Sequence, residues 1–291
     1  MTGGLLNVLK PPGMTSHDVV SFIRKTYGMK RVGHGGTLDP GAAGVLPVAL
    51  GQATRLIEYI TAADKSYRVE LTFGYETDTG DDTGKVIHTA DYDMPAPEQL
   101  QDVLQSFTGI NRQIPPMHSA IKVNGKKLYE LARIGISIDR PAREIEISRI
   151  TLLKVFPTGI LFDVTCSKGT YIRSLCRDLG TKLGCPAVMS FLVRTRVGKF
   201  LLSDALTVEE LALKPELLLA DPFLCLPKVS LSHDKAQAFT YGKSIFCEEL
   251  CETLYGVYDE QKSFLGIGKK SACASVLIPV KVLSCQGKTL L

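Results

Sequence analysis

The sequence predicts an α+β protein, a mixed and mostly antiparallel sheet flanked by helices, followed by a small β-rich C-terminal domain. Three observations carry this. Helical and strand periodicities are interspersed along residues 1–200. The strands alternate apolar and polar residues, whereas strands of a doubly wound parallel sheet are apolar on both faces. Finally, the stretch KPELLLADPFLCLPK (214–228), with three prolines and no clear period, separates this region from short strand-like pieces. We therefore expect one domain over 1–222 and a second over 223–291.

The elements follow in order. Thr15-Ser16 is a helix-capping signal ahead of an apolar stripe at Val19, Val20, Phe22, Ile23 and Tyr27, which predicts a helix over 17–27 ended by Gly28. The segment GHGGTLDPGAAGVLP (33–47) is too rich in glycine to be regular throughout. A second helix is expected near 52–61, with Ala53, Leu56, Ile57 and Ile60 on one face. The period then changes to two: Tyr67, Val69, Leu71 and Phe73 alternate with polar residues, and Ile160, Phe162, Val164 and Cys166 do the same. Ile172, Leu175, Cys176, Leu179 and Leu183 mark a helix closed by Gly184. Beyond 226, strand-like pieces lie at Leu254–Tyr258, Phe264–Gly268 and Ser275–Pro279.

The composition is that of an ordinary globular chain, 45% hydrophobic and 22% charged, which excludes intrinsic disorder. No apolar run approaches the ~18 residues that span a membrane, and Lys10 with two prolines stands where a signal peptide keeps its apolar core. Eight scattered cysteines read as reduced thiols. A cytoplasmic protein without membrane attachment is the expectation. The net charge of +4 is uneven: residues 111–200 carry 16 Lys/Arg against 6 Asp/Glu, a surplus of ten. That surplus suits a polyanion-binding surface, or equally a solvated face with scattered lysines. Charge alone names no partner.

Several motifs fail. The Gly-Lys-Ser/Thr triples at 242–244 and 287–289 lack the glycine five residues earlier that a phosphate loop needs, having Gln237 and Val282 there. Gly33-His34-Gly35 continues with Thr37-Leu38, which breaks the dinucleotide fingerprint. No nucleotide or other cofactor is expected. Nor is a metal: the five histidines lie far apart, and Cys247, Cys251, Cys273 and Cys285 form only one of the two close pairs of a zinc site. The acidic loop DTGDDTG (78–84) lacks calcium-loop spacing and reads as a solvated turn.

The informative segment is 33–47. Asp39 stands before Pro40, which biases its backbone to an extended form. A carboxylate in such a loop serves as nucleophile or general base when a cation keeps it ionised; the plain alternative is an Asp-Pro turn.

KPPGMTSHD (10–18), GHGGTLDPGAAGVLP (33–47), DKSYRVELTFGYETDTGDDTG (64–84), IPPMHSAIKVNGKKLYELAR (114–133) and KGTYIRSLCRDLG (168–180) occur in this order. Together they resemble the bacterial tRNA pseudouridine-55 synthase family along most of the first 200 residues. The resemblance implies the pseudouridine synthase fold and conversion of one T-loop uridine of tRNA to pseudouridine, without metal or cofactor, after the base is flipped out. It implies that Asp39 is the catalytic aspartate, taken here as the nucleophile, and that Arg173 pairs with it and keeps it ionised. Tyr67 would stack on the uracil and is a candidate for proton transfer at carbon 5; His34, Tyr171 and Leu192 would bind the base. Without the family, Tyr67, Tyr171 and Leu192 read as core residues and His34 as a structural histidine.

The segment 113–147 resembles the family's RNA-clamping insertion, with Lys122, Lys126, Lys127 and Arg133 as candidate RNA contacts. The C-terminal portion resembles the small PUA-like domain, through VYDEQKSFLGIG (257–268) and IPVKVL (278–283). Lys10 opens the KPPG motif and is given no chemical role. Two positions depart from the family: Gly35 replaces Thr or Ser, and His118 replaces Tyr. The partner implied is the T-arm and elbow of tRNA, bound by a monomer. Two other readings fit parts of the pattern: a tRNA-folding chaperone with Asp39 idle, and the catalytic subunit of a guide-RNA-directed pseudouridylation particle. The insertion counts against the latter, since a stand-alone enzyme needs its own clamp.

Overall fold

Alternation fixes the centre of the molecule. Along Lys65–Phe73, residues 65, 67, 69, 71 and 73 are buried and those between them are not. Gly159–Cys166 buries Ile160, Phe162, Val164 and Cys166 in the same way. In the computed structural model, which describes residues 3–123, 125–248, 250–272 and 275–283, these two strands lie side by side, Val164 opposite Tyr67.

The principal sheet runs, edge to edge, Gly3–Lys10, Ala43–Gly51, Ala187–Val197, Lys65–Phe73, Gly159–Cys166, Arg143–Phe156 and Gly109–Gln113. Every adjacent pair is antiparallel except Ala43–Gly51 with Ala187–Val197, where Val193 pairs with Ala43 and Arg194 with Gly44 in parallel register. The sheet is thus mixed and mostly antiparallel.

Helices cover it according to their apolar stripes. Ser16–Tyr27 carries a capping box in which Thr15 and Asp18 satisfy each other's backbone N–H, and it stops at Gly28, in the left-handed region at φ 64°. Its Val19, Val20 and Ile23 pack on Leu6, Val8, Leu46 and Val48. Pro97–Gln105 and Ile172–Leu183 cover the other end, with Leu100, Leu104, Leu175 and Leu179 against Val69, Leu71 and Phe162. Each such fully buried aliphatic contributes roughly 1.5–3 kcal/mol relative to exposure. The helix expected over 52–61 is a 3-10 turn, Gln52–Leu56, leading into one short α-helix, Ile57–Thr61; it has only the length to lay Ala53, Leu56 and Ile60 on the core.

A second sheet orders Lys228–Ser230, Leu254–Tyr258, Phe264–Lys270, Val276–Val282 and Ile245–Phe246. A helix absent from the sequence reading, His233–Thr240, packs Phe239 into its core. This unit is fastened to the first. Leu224 and Ile267 join Leu56, Ile60 and Phe200 in one apolar cluster, and Lys281 Nζ lies 2.9 Å from Glu58 Oε1.

Between the sheet strands ending at Gln113 and starting at Arg143, the chain leaves the sheet, so residues 143–147 of the expected insertion are strand already. The excursion holds a two-strand hairpin, Lys122–Val123 with Lys126–Lys127, and the helix Leu128–Arg133. Among the described residues, no helix is long and apolar enough to cross a membrane. Cys247 and Cys251 carry free thiols, while Cys273, Cys285 and the triple at 287–289 lie outside the described residues.

Candidate active site

The loop between Val32–His34 and Ala43–Gly51 is held from three sides. Lys10, fully buried at the end of the first strand, donates from Nζ to Ala42 O (2.6 Å), Pro11 O (2.8 Å) and Pro40 O (3.3 Å). Ser16 Oγ, at the start of its helix, accepts from Leu38 N (2.9 Å) and donates to Leu38 O (3.1 Å). Arg194 donates to Val45 O, Gly36 O and Thr37 O. These bonds leave Asp39 projecting from a fixed backbone, its side chain 38% exposed.

Arg173 meets it. From the first turn of Ile172–Leu183, its Nε lies 3.0 Å from Asp39 Oδ2 and its Nη2 3.4 Å from Asp39 Oδ1. Arg173 is itself only 7% exposed, and its other donors are taken by Thr79 O (2.9 Å) and His118 O (2.8 Å). The planar fork is therefore aimed by two carbonyls before it reaches the carboxylate.

The acidic loop 78–84 is not a solvated turn. Asp82 N bonds Met189 O, Met189 N bonds Gly80 O, and the loop thereby docks on the sheet. Asp81, 16% exposed, accepts from Thr79 Oγ1 and Thr83 Oγ1 on Oδ1 and turns Oδ2 toward Arg173 Nε at 4.0 Å. The run of acidic residues hides this, because Asp81 is tied down by the hydroxyls that flank it and by the Thr83 backbone N–H. Lys10 has no role legible in the sequence; it holds the carbonyls of Pro40 and Ala42, immediately after Asp39.

Tyr67 is buried, shares a core cluster with Leu38 and Leu192, and lies opposite Arg194 across the strand pair. Burial raises its pKa, opposed by the Arg194 charge. His34 presents a buried Nδ1 with no hydrogen-bond partner. Burial, and then the charge of Arg194, pushes the imidazole pKa down, which favours the neutral ring. Leu192 lies two residues from Arg194 on the same face of its strand. Tyr171 caps the helix that carries Arg173, half-buried, its backbone exchanging hydrogen bonds with the Gln113 amide. The structure thus brings Asp39, Arg173, Tyr67 and Leu192 to one place, with His34 within the field of Arg194.

The family departures have local explanations. Gly35 N donates to Pro47 O (2.7 Å), and a Cβ there would meet Ile57 Cδ1 and Pro47 Cβ at 3.3 Å, a tight fit that favours glycine. His118 contributes its backbone carbonyl, which any residue supplies.

Lys122 and Lys126 are exposed on the hairpin, Lys127 lies over the Tyr129 ring, and Arg133 ends the following helix. Beneath the insertion, a cleft of ≈ 420 Å³ is lined by Thr79, Met117, His118, Arg140, Arg173 and Arg177, among others. Among the described residues no three His, Cys, Asp or Glu side chains converge as a metal site requires.

Three family models match in succession: "TruB family pseudouridylate synthase (N terminal domain)" over residues 24–172, "tRNA pseudouridylate synthase B C-terminal domain" over 173–218, and "Pseudouridine synthase II TruB, C-terminal" over 227–283. The chain belongs to the TruB family of pseudouridylate synthases. It is 45% identical to tRNA pseudouridine synthase B of Alkaliphilus oremlandii, over 91% of this chain and 92% of that one. It is 48% identical to the protein of the same name from Caldanaerobacter subterraneus subsp. tengcongensis, over 91% and 94%. Among solved structures, it matches one described as a Cbf5-Nop10-Gar1 complex with TM-score 0.76 and 28% identity, over 97% of this chain and 85% of that one.

Proposed function

We propose that this TruB-family chain is a tRNA pseudouridine(55) synthase, an isomerase acting on one T-loop uridine, and that Asp39, Arg173, Tyr67, His34, Tyr171 and Leu192 form its site. The observation that carries the reading is the Asp39–Arg173 ion pair, set at 3.0 Å on a loop fixed by Lys10, Ser16 and Arg194. The relatives named tRNA pseudouridine synthase B, similar along nearly the whole chain, support tRNA as substrate in preference to a guide-directed target.

The chemistry breaks the bond from ribose to ring nitrogen 1, turns the uracil, and joins ribose to ring carbon 5; carbon 5 gives up a proton and nitrogen 1 gains one, so the product is an isomer of the substrate. The base must leave its stack, at a few kcal/mol. Asp39 is the group that reaches the reacting nucleotide as nucleophile, oriented by the two-point contact with Arg173. Tyr67 and Leu192, neighbours in one apolar cluster, offer the uracil an apolar floor. The exposed Lys122 and Lys126, with Lys127 and Arg133, serve as RNA contacts on a clamp that begins at Ile114. We assign catalysis to 1–222 and a PUA-like RNA-binding role to 223–291, in a cytoplasmic monomer binding the tRNA elbow.

The test is positional. An unmodified tRNA transcript treated with the protein, then mapped by carbodiimide adducts that stop reverse transcription, should show one new stop, at the T-loop uridine. Stops at other positions, or none on a transcript that a TruB relative converts, would refute the assignment.

A further inference from the structure

Arg194 is among the largest fully buried side chains of the protein, 2% exposed, and no carboxylate pairs with it among the described residues. A buried, unpaired guanidinium is costly unless its donors are satisfied. Here they are satisfied by carbonyls on either side of Asp39. Nε donates to Val45 O (2.8 Å), Nη2 to Gly36 O (3.0 Å) and Nη1 to Thr37 O (3.4 Å), so the guanidinium spans the loop that carries Asp39. It also stands directly opposite Tyr67 in the antiparallel register, on the same face of the sheet, where its charge acts on the Tyr67 hydroxyl.

The backbone reinforces this placement. Arg194 pairs with Gly44 in the sheet's single parallel junction, so closely that a Cβ on Gly44 would fall 2.2 Å from Arg194 O. Gly44 also has φ 114°, which favours glycine. Immediately after Arg194 the register with Lys65–Phe73 shifts by a bulge, a device that re-aims side chains beside functional sites. Arg194 is thus fixed by its own backbone before it fixes the loop.

We propose that Arg194 is a positioning residue for the isomerisation, holding the Asp39 loop by three hydrogen bonds in register with Tyr67, its cross-strand neighbour. It touches neither Asp39 nor, by this account, the base. Its charge, unlike that of Arg173, is not paired with a carboxylate among the described residues. This inference rests on the function proposed above.

The experiment compares wild type, Arg194→Lys and Arg194→Met as full-length proteins, measuring melting temperature, tRNA affinity, and kcat and KM for tritium release from tRNA labelled at uridine carbon 5. The expected result is folded variants with KM within about threefold of wild type, kcat lowered about 100-fold in Arg194→Met, and a kcat for Arg194→Lys between the two, because the ammonium restores charge and part of the donor set. A kcat within twofold of wild type in Arg194→Met would overturn the proposal, as would a loss confined to KM. If Arg194→Met melts below the assay temperature, Arg194→Gln, which keeps donors without charge, replaces it. Failure of both to fold would assign Arg194 to packing and overturn the proposal as well. Absence of release by wild type would instead refute the functional reading on which it rests.

Discussion

Arg173 Nη2 donates to His118 O at 2.8 Å, and the same guanidinium holds the Asp39 carboxylate at 3.0 Å. His118 lies at the root of the insertion, so the proposed RNA clamp and the proposed nucleophile share one cation. Ser174 Oγ, donating to Ile114 O, and the Gln113 amide, bonded to the Tyr171 backbone, pin the same root to the same helix. The start of the insertion and the ion pair are thus joined through the first turn of one helix.

Arg173→Lys keeps the charge and loses the fork. An ammonium cannot hold Thr79 O, His118 O and both Asp39 oxygens in one plane. We expect kcat to fall about 100-fold or more, with tRNA affinity little changed, as single-turnover rates and filter binding would show.

Asp81→Asn tests the acidic loop. The amide keeps an oxygen for Thr79 and Thr83 but removes the charge that faces Arg173 at 4.0 Å. The expected outcome is an unchanged melting temperature and a rate lower by on the order of tenfold, about 1.4 kcal/mol. An exposed turn residue would give no rate effect.

Lys10 gives a pH signature. Burial lowers its pKa from 10.5 to about 8 in the folded protein. Between about pH 8 and 10.5 the unfolded chain holds the additional proton, so Lys10 makes stability rise with pH across that window and adds no slope above it. Below pH 8 the charged form is buried at a cost. Melting curves of wild type and Lys10→Met over pH 7–10.5 should differ by this rising component, present in wild type and missing in the variant. Lys65, lowered to about 8 by burial as well, makes a like contribution in both proteins.

The hairpin lysines are expected to act through phosphate. Lys126→Ala should weaken tRNA binding at low salt and reduce the slope of log affinity against log salt by about one, with kcat at saturating tRNA preserved.

Much of this was legible in the sequence, and the reason differs by element. Tyr67–Phe73 and Ile160–Cys166 declare themselves by alternation because one face meets helices and the other does not. The 17–27 and 172–183 helices declare themselves by stripe and by glycine at each C-terminus. Asp39 and Arg173 came from ordered motifs, since nothing local says that residues 134 apart in sequence will touch. What stayed hidden were the polar groups that act from inside. Lys10 and Arg194 look like surface charges in a sequence, because most of the carbonyls that satisfy them lie on distant segments; Asp81 looks like one because the cation it faces, Arg173, is equally distant. Arg194 left one signal, its period-two match with Leu192 and the apolar face. The His233–Thr240 helix was missed because only Ala236 and Phe239 of its residues are buried, too few to make a stripe.

The most direct test uses unmodified tRNA transcript carrying tritium at uridine carbon 5, incubated with wild type and with Asp39→Asn. The account predicts release equivalent to one uridine per tRNA by wild type. Asp39→Asn should show none above background while binding tRNA with affinity within about threefold of wild type. Release by Asp39→Asn at a comparable rate would contradict the assignment of Asp39 as the essential carboxylate, and tRNA binding without release by wild type would contradict catalysis itself.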